Sequence, residues 1–222
     1  MKPSLFAPRR ARPTRASAMR GATLVEMSVS LLIFLMVIFA IAEVALMFKA
    51  KAVVDMAALA AARAGAVDHA RAGPTSKMHM AGRTALAPLY MRTGTGSAEL
   101  ASAIVRAHAD LIALNMSIDV LNPTAASFAD HGVNAAGKPR FIPNDSLMYR
   151  STRVKATSGQ NIQDANLLKI RLTYCYEPRM PLANEFLRLA LSLFNGTDMC
   201  RIRGRLPIRA EALVRMQTEA YQ

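Results

Sequence analysis

A long apolar run near the start of the chain constrains its fold more than any other feature. From Met27 to Phe48 the only strongly polar side chains are Ser28, Ser30 and Glu43. As a helix, this run rises about 33 Å at ~1.5 Å per residue, which matches a hydrocarbon core of ~30 Å. A helix in a water-soluble protein seldom stays apolar on every side. The run therefore predicts a single membrane-spanning helix, assigned to residues 22–48.

Flanking charges predict the orientation of this helix. The segment before it, residues 1–21, has no acid, and its basic side chains are Lys2, Arg9, Arg10, Arg12, Arg15 and Arg20. They supply much of the formal net charge of +13. The positive-inside rule then places the N-terminus in the cytoplasm and residues 49–222 across the membrane, in the periplasm. The remaining Arg residues are scattered and lack a stacked aromatic series, so we expect membrane lipid and no nucleic acid as a partner.

A cleaved secretory signal is an alternative reading of the same segment. Ala40-Ile41-Ala42 offers a small-residue cleavage pattern, which would start the mature protein at Glu43 and release it from the membrane. The apolar run is longer than the usual signal core of about 7–15 residues, so the anchored form is preferred.

The residues just before the run indicate another processing route. Residues 21–26 read Gly-Ala-Thr-Leu-Val-Glu and follow a basic leader. The pattern resembles the cleavage site of type IV-like prepilins, which implies that a prepilin peptidase cuts between Gly21 and Ala22. Glu26 would then neutralise the N-terminal amine of a neighbouring subunit, because a carboxylate in an apolar assembly is costly unless it is paired. A carboxylate at the membrane interface, favoured by the helix dipole, is the alternative for Glu26.

Three segments together resemble the N-terminal domain of TadE-like proteins, the pseudopilins of the bacterial Tad (Flp) pilus. They are residues 21–26, residues 41–43 (Ile-Ala-Glu) and the Ala-rich residues 57–65. Met27 stands where the family often has an aromatic residue. Residues 142–145, 161–169 and 174–176 are similar to the periplasmic part of the same family.

This resemblance implies a pseudopilin-like, non-enzymatic protein of the inner membrane, with no cofactor and no metal. Its partners would be other Tad pilus proteins and pilin-like subunits, and processing would allow it to enter the pilus or reach the cell surface. The resemblance also favours a contact between Glu43, an intramembrane acid, and a partner helix. The alternative is that the Glu43 carboxylate snorkels to the interface.

Beyond the run, the pattern predicts a helical extension and a small head. Residues 49–71 are Ala-rich, contain no proline and end before Gly73-Pro74. They carry a face of small residues for close contact with another helix, formed by Ala57, Ala60, Ala61, Ala64 and Gly65. We divide the chain into a leader (1–21), a membrane helix (22–48), an Ala-rich helical extension (49–73) and a periplasmic head (74–222).

Hydrophobic periodicity in the head predicts mixed secondary structure. The expected helices are Lys77–Ala87, a helix capped by Ser97 and running to Leu114, and Pro181–Phe194. The expected strands are Met116–Val120, Leu167–Tyr176 and Arg205–Met216, and residues 122–166 form a long irregular connection. The predicted fold is therefore α+β and pilin-like, with a long N-terminal transmembrane and stalk helix and a short antiparallel sheet in the head.

Few residues of the head suggest chemistry. Cys175 and Cys200 would face the periplasm, where a disulfide between them closes a loop of about 25 residues and contributes roughly 3–4 kcal/mol. The four histidines are scattered without metal-ligand spacing, and no Gly-x-Ser-x-Gly elbow or Walker loop occurs.

The sequence thus predicts a component of Tad pilus assembly that acts through helix packing and protein contacts. One alternative is a minor pseudopilin of a type II secretion system. The other is a membrane-anchored periplasmic enzyme or binding module, which a cluster of acidic and basic groups in the folded head would favour.

Overall fold

A computed structural model of the chain describes residues 15–92, 96–179 and 199–222. One long helix, α1 (Arg15–Ala66), opens the fold and carries the whole apolar run without a break. A small α+β region with a short antiparallel sheet follows it, which confirms the predicted fold class. The predicted helix Pro181–Phe194 lies outside the described residues.

The head is built from short elements. The helices are α2 (Lys77–Ala85), α3 (Ser97–Asp110), α4 (Ala125–His131) and α5 (Ile162–Ala165), with shorter helical turns at Ala87–Tyr90, Leu111–Asn115, Leu147–Tyr149 and Met199–Ile202. The strands are β1 (Met116–Asn122), β2 (Phe141–Ile142), β3 (Leu167–Tyr176), β4 (Leu206–Arg215) and β5 (Ala220–Tyr221). Ser97 was expected to cap α3, but it is the first helical residue and Gly96 precedes it without a side-chain cap.

β3 is the central strand of the main sheet. It pairs antiparallel with β1 on one side and with β4 on the other, and β2 pairs with β5 in a separate two-stranded ribbon. β3 spans the predicted residues because its side chains alternate between the two faces from Leu167 to Tyr174. Leu168, Ile170 and Leu172 are fully buried, whereas Lys169 and Arg171 lie on the outer face and contact Glu211 of β4.

The C-terminal half of α1 packs on the inner face of this sheet. Its buried side chains recur at helical spacing and are nearly all small: Ala50, Val54, Ala57, Ala58, Ala61, Ala62 and Ala66. Gly65 is part of the same face, and a Cβ atom there would lie 3.0 Å from Leu168 Cδ2. Of the predicted small-residue face, Ala57, Ala61 and Gly65 are buried in this contact, whereas Ala60 and Ala64 are half-buried. The buried part serves a close contact inside the chain, with the sheet and with α2, where a Cβ on Gly82 would lie 3.5 Å from that of Ala61.

α1 ends at Ala66, before the predicted end at Arg71. The reason is a long-range contact with the C-terminal segment. The backbone N–H groups of Gln217 and Thr218 donate to the Ala66 carbonyl at 3.0 and 3.1 Å, which satisfies one of the acceptors that a helix end leaves open. His69 then adopts a left-handed conformation (φ 59°) and its ring stacks on Tyr221 with centroids 4.1 Å apart.

Side-chain amides organise the irregular connection between β1 and β3. Asn166 donates to the carbonyls of Pro143 (3.0 Å) and Ile162 (2.9 Å). Gln160 donates to Asn122 Oδ1 (2.8 Å) and accepts a hydrogen bond from Ser127 Oγ (2.7 Å). The Asn166 amide thereby satisfies two backbone carbonyls of the connection, and the Gln160 amide joins the side chains of Asn122 and Ser127.

Ala61→Leu should destabilise the head because the alanine is fully buried against α2 and the sheet. We expect the free energy of unfolding to fall by about 1–3 kcal/mol through overpacking. Ala52→Leu, on the exposed side of the same helix, is the matched control. The control should change the free energy of unfolding by less than about 0.5 kcal/mol. Urea unfolding of the full chain in detergent micelles measures both, and equal effects would disprove the close packing.

Candidate functional site

The N-terminal part of α1 stands free of the head. Residues 23–42 are exposed at every position except Phe39 and Ala42, which are half-buried, and the exposed set includes Leu24 (72%) and Phe34 (61%). This stretch rises about 30 Å, the thickness of a hydrocarbon core. In the described part of the chain, α1 is the one helix that is long and apolar enough to cross a membrane.

Glu43 marks the point where the head begins. It is the first fully buried residue along the described part of α1, with 3% of its surface exposed. The Tyr176 hydroxyl donates to Glu43 Oε1 at 3.0 Å, and the backbone N–H of Arg179 donates to Oε2 at 3.2 Å. Each carboxylate oxygen thus receives a hydrogen bond from the end of β3 or from the residues that follow it.

This geometry gives Glu43 a role that neither sequence interpretation included. Contact with a partner helix and snorkelling were both proposed to satisfy the carboxylate, yet the chain's own head covers it. Its position inside a membrane stays a prediction. Burial, followed by the hydrogen bond to Glu43, raises the pKa of Tyr176, so the tyrosine stays a donor to the carboxylate at neutral pH.

A cluster of charged and phenolic groups lies beside this junction. Arg205 forms a two-pronged ion pair with Asp110, from Nη1 to Oδ2 at 3.0 Å and from Nη2 to Oδ1 at 3.2 Å. The Tyr90 hydroxyl donates to Asp110 Oδ2 at 2.6 Å. The three side chains line a cleft of about 930 Å³ that also reaches Lys49 and Ala50 of α1.

The ionisation of this cluster is fixed by its partners. Burial acts to raise the pKa of Asp110, but hydrogen bonds from Arg205 and Tyr90 and the Arg205 charge outweigh it and hold that pKa below its ordinary value. Burial and the neighbouring Tyr174 raise the pKa of Tyr90. At neutral pH the cluster therefore contains an ionised, fully hydrogen-bonded carboxylate and a neutral phenol.

The predicted disulfide is present. Cys175 in β3 bonds to Cys200, with their Cα atoms 5.2 Å apart. It ties the end of β3 to the turn before β4, next to Tyr176. The covalent link thus holds the same segment that covers Glu43.

The predicted processing residues lie toward the start of α1. Gly21 and Ala22 are within the helix, and Glu26 is on its exposed stretch, about 25 Å from Glu43 along the helix axis. Glu26 and Glu43 therefore have opposite surroundings although they belong to the same apolar part of the helix. Cleavage between Gly21 and Ala22 stays a prediction.

Three of the four histidines make hydrogen bonds to backbone carbonyls, and His79 Nδ1 lies 3.4 Å from Ser76 Oγ. His69 Nδ1 lies 2.8 Å from the Glu219 carbonyl, His108 Nδ1 is 3.0 Å from that of Ile104, and His131 Nε2 is 3.1 Å from that of Gln160. Within residues 15–92, 96–179 and 199–222, no three His, Cys, Asp or Glu side chains come together as metal ligands.

Sequence reasoning did not find Tyr176, Asp110, Tyr90 or Arg205 as site residues. Tyr176 belongs to the family-like residues 174–176 and ends the predicted strand Leu167–Tyr176, and neither feature assigns it a partner. The ion pair between Asp110 and Arg205 joins residues 95 positions apart, and neither stands in a recognisable local motif. Tyr90 ends a helical turn, Asp110 ends α3 and Arg205 precedes β4, so only the folded head brings these groups to one place beside the end of β3.

Asp110→Asn should weaken the head and change its response to acid. We expect the free energy of unfolding to fall by about 1–3 kcal/mol at pH 7, because Arg205 loses a half-buried charged partner. The folded-state pKa of Asp110 is lowered, so its stabilisation is complete above pH ~4 and is lost as the pH falls through that pKa. The difference between the variant and the unaltered chain should accordingly shrink in acid.

Asp145→Asn is the matched control for this test. Its side chain is 76% exposed and pairs with Arg150. We therefore expect the free energy of unfolding to change by less than about 1 kcal/mol. Urea unfolding of the full chain at pH 7 and pH 3 measures both variants. A constant difference across this pH range would show that the Asp110 charge does not stabilise the fold.

Comparison with known proteins agrees with the sequence resemblance. Residues 21–63 match the family model described as TadE-like protein, and this segment covers the exposed stretch of α1, Glu43 and most of the small-residue face. No curated protein and no solved structure matches the chain. The predicted resemblance to TadE-like proteins is thus confirmed over residues 21–63, and it associates the chain with the Tad pilus.

Proposed function

We propose that the chain is a pseudopilin-like component in the assembly of a Tad (Flp) pilus. It is a single-pass protein of the bacterial inner membrane, with a cytoplasmic N-terminus and a periplasmic head. It acts by packing its N-terminal helix against pilin-like subunits and by presenting the head to other pilus proteins. TadE-like pilus-assembly proteins are generally non-enzymatic, and the role proposed here is structural.

One observation carries this proposal: the TadE-like segment lies on a helix with two different halves. Residues 23–42 expose apolar side chains all round, whereas the half that follows Glu43 supplies the core of the head. An exposed apolar surface of this length requires lipid or another apolar helix around it. The chain can therefore leave the bilayer and enter a helix bundle without unfolding its head.

The buried Glu43 supports an outer membrane boundary near residue 42. The head contacts α1 from Glu43 onward, so the stretch from residue 43 to Phe48 would lie at the headgroups or beyond them. The membrane-spanning part would then be residues 23–42, shorter at its outer end than the 22–48 expected from hydropathy.

Glu26 is the group proposed to direct assembly. A prepilin peptidase would cut between Gly21 and Ala22 and create a new N-terminal amine close to Glu26. In the described structure Glu26 is exposed on the apolar stretch, where a carboxylate is costly in lipid unless a charge partner reaches it. The amine of a neighbouring subunit supplies that partner.

Among the described residues of the head, the Asp110 cluster is the group that most resembles a catalytic site. A general base working near neutral pH needs a pKa near the operating pH. The pKa of Asp110 is instead lowered and that of Tyr90 raised, so both move away from that range. The ion pair with Arg205 favours a structural role for the cluster, and we do not advance an enzymatic function.

The N-terminus of the membrane-bound protein tests the processing route. We expect a mature chain that begins at Ala22 in cells with an active prepilin peptidase and an uncut chain in cells without it. Edman sequencing and intact mass of the purified protein measure this. A start at Glu43, or an uncut chain in both strains, would contradict the proposal.

Glu26→Gln and Glu43→Gln should separate assembly from folding. Glu26 lies on the exposed stretch, so we expect its variant to keep its unfolding free energy within about 0.5 kcal/mol but to produce fewer pili. In Glu43→Gln an amide N–H₂ replaces one of the two buried carboxylate oxygens that accept from Tyr176 and Arg179. We expect the free energy of unfolding to fall by about 1–3 kcal/mol. Urea unfolding and counts of pili by electron microscopy measure the two effects. Normal piliation in Glu26→Gln would remove the proposed role of that carboxylate.

A further inference from the structure

We infer that the loop of residues 148–155 is a docking site for an acidic partner protein at the end of the head farthest from the membrane. This inference rests on the proposed function, because the membrane defines the near end. The loop contains an exposed apolar pair, Met148 and Tyr149, and two exposed cations, Arg153 and Lys155.

The apolar pair is exposed to an unusual degree. Met148 and Tyr149 keep 81% and 85% of their surface in solvent, whereas the preceding Leu147 is 5% exposed and anchors the turn in the head. Large aromatic side chains that project from a surface are the residue type that most often dominates binding energy at protein interfaces. An exposed tyrosine beside an exposed methionine is therefore a candidate anchor for a partner.

The backbone beneath this pair is held in place. Gln163 Nε2 donates to the carbonyls of Leu147 (2.9 Å) and Arg150 (3.1 Å), on either side of the turn. Arg150 makes two hydrogen bonds to Asp145. Its Nε donates to the Asp145 backbone carbonyl at 3.0 Å, and its Nη2 donates to Asp145 Oδ1 at 2.8 Å. A binding loop ordered in advance loses less conformational entropy on association.

The charge of the loop selects the partner. Arg153 and Lys155 are exposed, and in the described ranges neither takes part in an ion pair. Between them Val154 is 58% exposed and continues the apolar surface. Opposite charges across an interface steer encounter and exclude wrong partners, so the matching surface is an apolar pocket with acidic residues at its edge.

The position of the loop favours a protein partner over lipid. Asn144 donates to the Met216 carbonyl (3.1 Å) and Asn166 to that of Pro143 (3.0 Å), which places the base of the loop where β3 begins and β4 ends. Tyr176, which covers Glu43, lies at the opposite end of β3. That strand is about 30 Å long at ~3.3 Å per residue. A bilayer that ends near Glu43 therefore lies well away from the loop.

Photocrosslinking in the bacterium that assembles the pilus tests this inference. The full chain carries p-benzoylphenylalanine at position 149, at position 33 on the exposed stretch of α1, or at Met80, which is 57% exposed and serves as the surface control. Adducts are identified by mass spectrometry. The position 149 series is repeated with Arg153→Glu/Lys155→Glu and with the charge-matched control Arg63→Glu/Lys77→Glu.

We expect position 149 to yield an adduct with an acidic protein that position 80 does not yield. The Arg153→Glu/Lys155→Glu pair should reduce this adduct about tenfold, whereas the control pair should leave it unchanged. The inference is overturned by a lipid adduct, by no adduct, or by a protein adduct that both charge-reversed pairs affect equally. Position 33 reports on the proposed function separately, since pilin-like subunits should be captured there whatever happens at position 149.

Discussion

The close contact between α1 and β3 is the interaction on which the head depends. Small side chains on α1 let the helix lie almost directly on the leucine and isoleucine face of the central strand. Larger residues at these positions would lift the helix and open gaps that the short elements around it could not fill. The alanines thus serve spacing as well as helix propensity. The second helix, α2, shares the cover of the sheet, since a Cβ on its Gly82 would lie 3.4 Å from Leu172 Cδ1 and 3.6 Å from Ile118 Cδ1.

The same helix meets two environments, and Glu43 lies at the change between them. On one side of this residue the apolar side chains are exposed nearly all round the helix, and on the other one face of small side chains is buried while the opposite face stays exposed. The carboxylate receives two hydrogen bonds from the end of β3 and the segment after it, and the Cys175–Cys200 disulfide holds that segment. Polar bonds and a covalent link therefore fix the head at the point where the apolar contact with α1 begins.

Local periodicity was sufficient to predict β3 residue by residue, and the alternation of Leu168, Ile170 and Leu172 explains why. The disulfide followed from the compartment and the cysteine count. The predicted end of α1 was wrong because Gln217 and Thr218, near the other end of the chain, bond to the Ala66 carbonyl. The cover over Glu43 and the ion pair of Asp110 with Arg205 were likewise unpredictable, since each joins distant residues whose meeting depends on the packed sheet.

The unbroken helix through Glu43 has a mechanical consequence. Because no loop or proline separates the exposed stretch of α1 from the buried one, rotation of the helix about its axis turns the head with it. Because the head packs against this same helix, the angular setting of residues 23–42 among neighbouring helices determines the direction in which the head faces. Any assembly that binds residues 23–42 in a fixed orientation would therefore also fix the orientation of the head, because one continuous helix backbone joins the two.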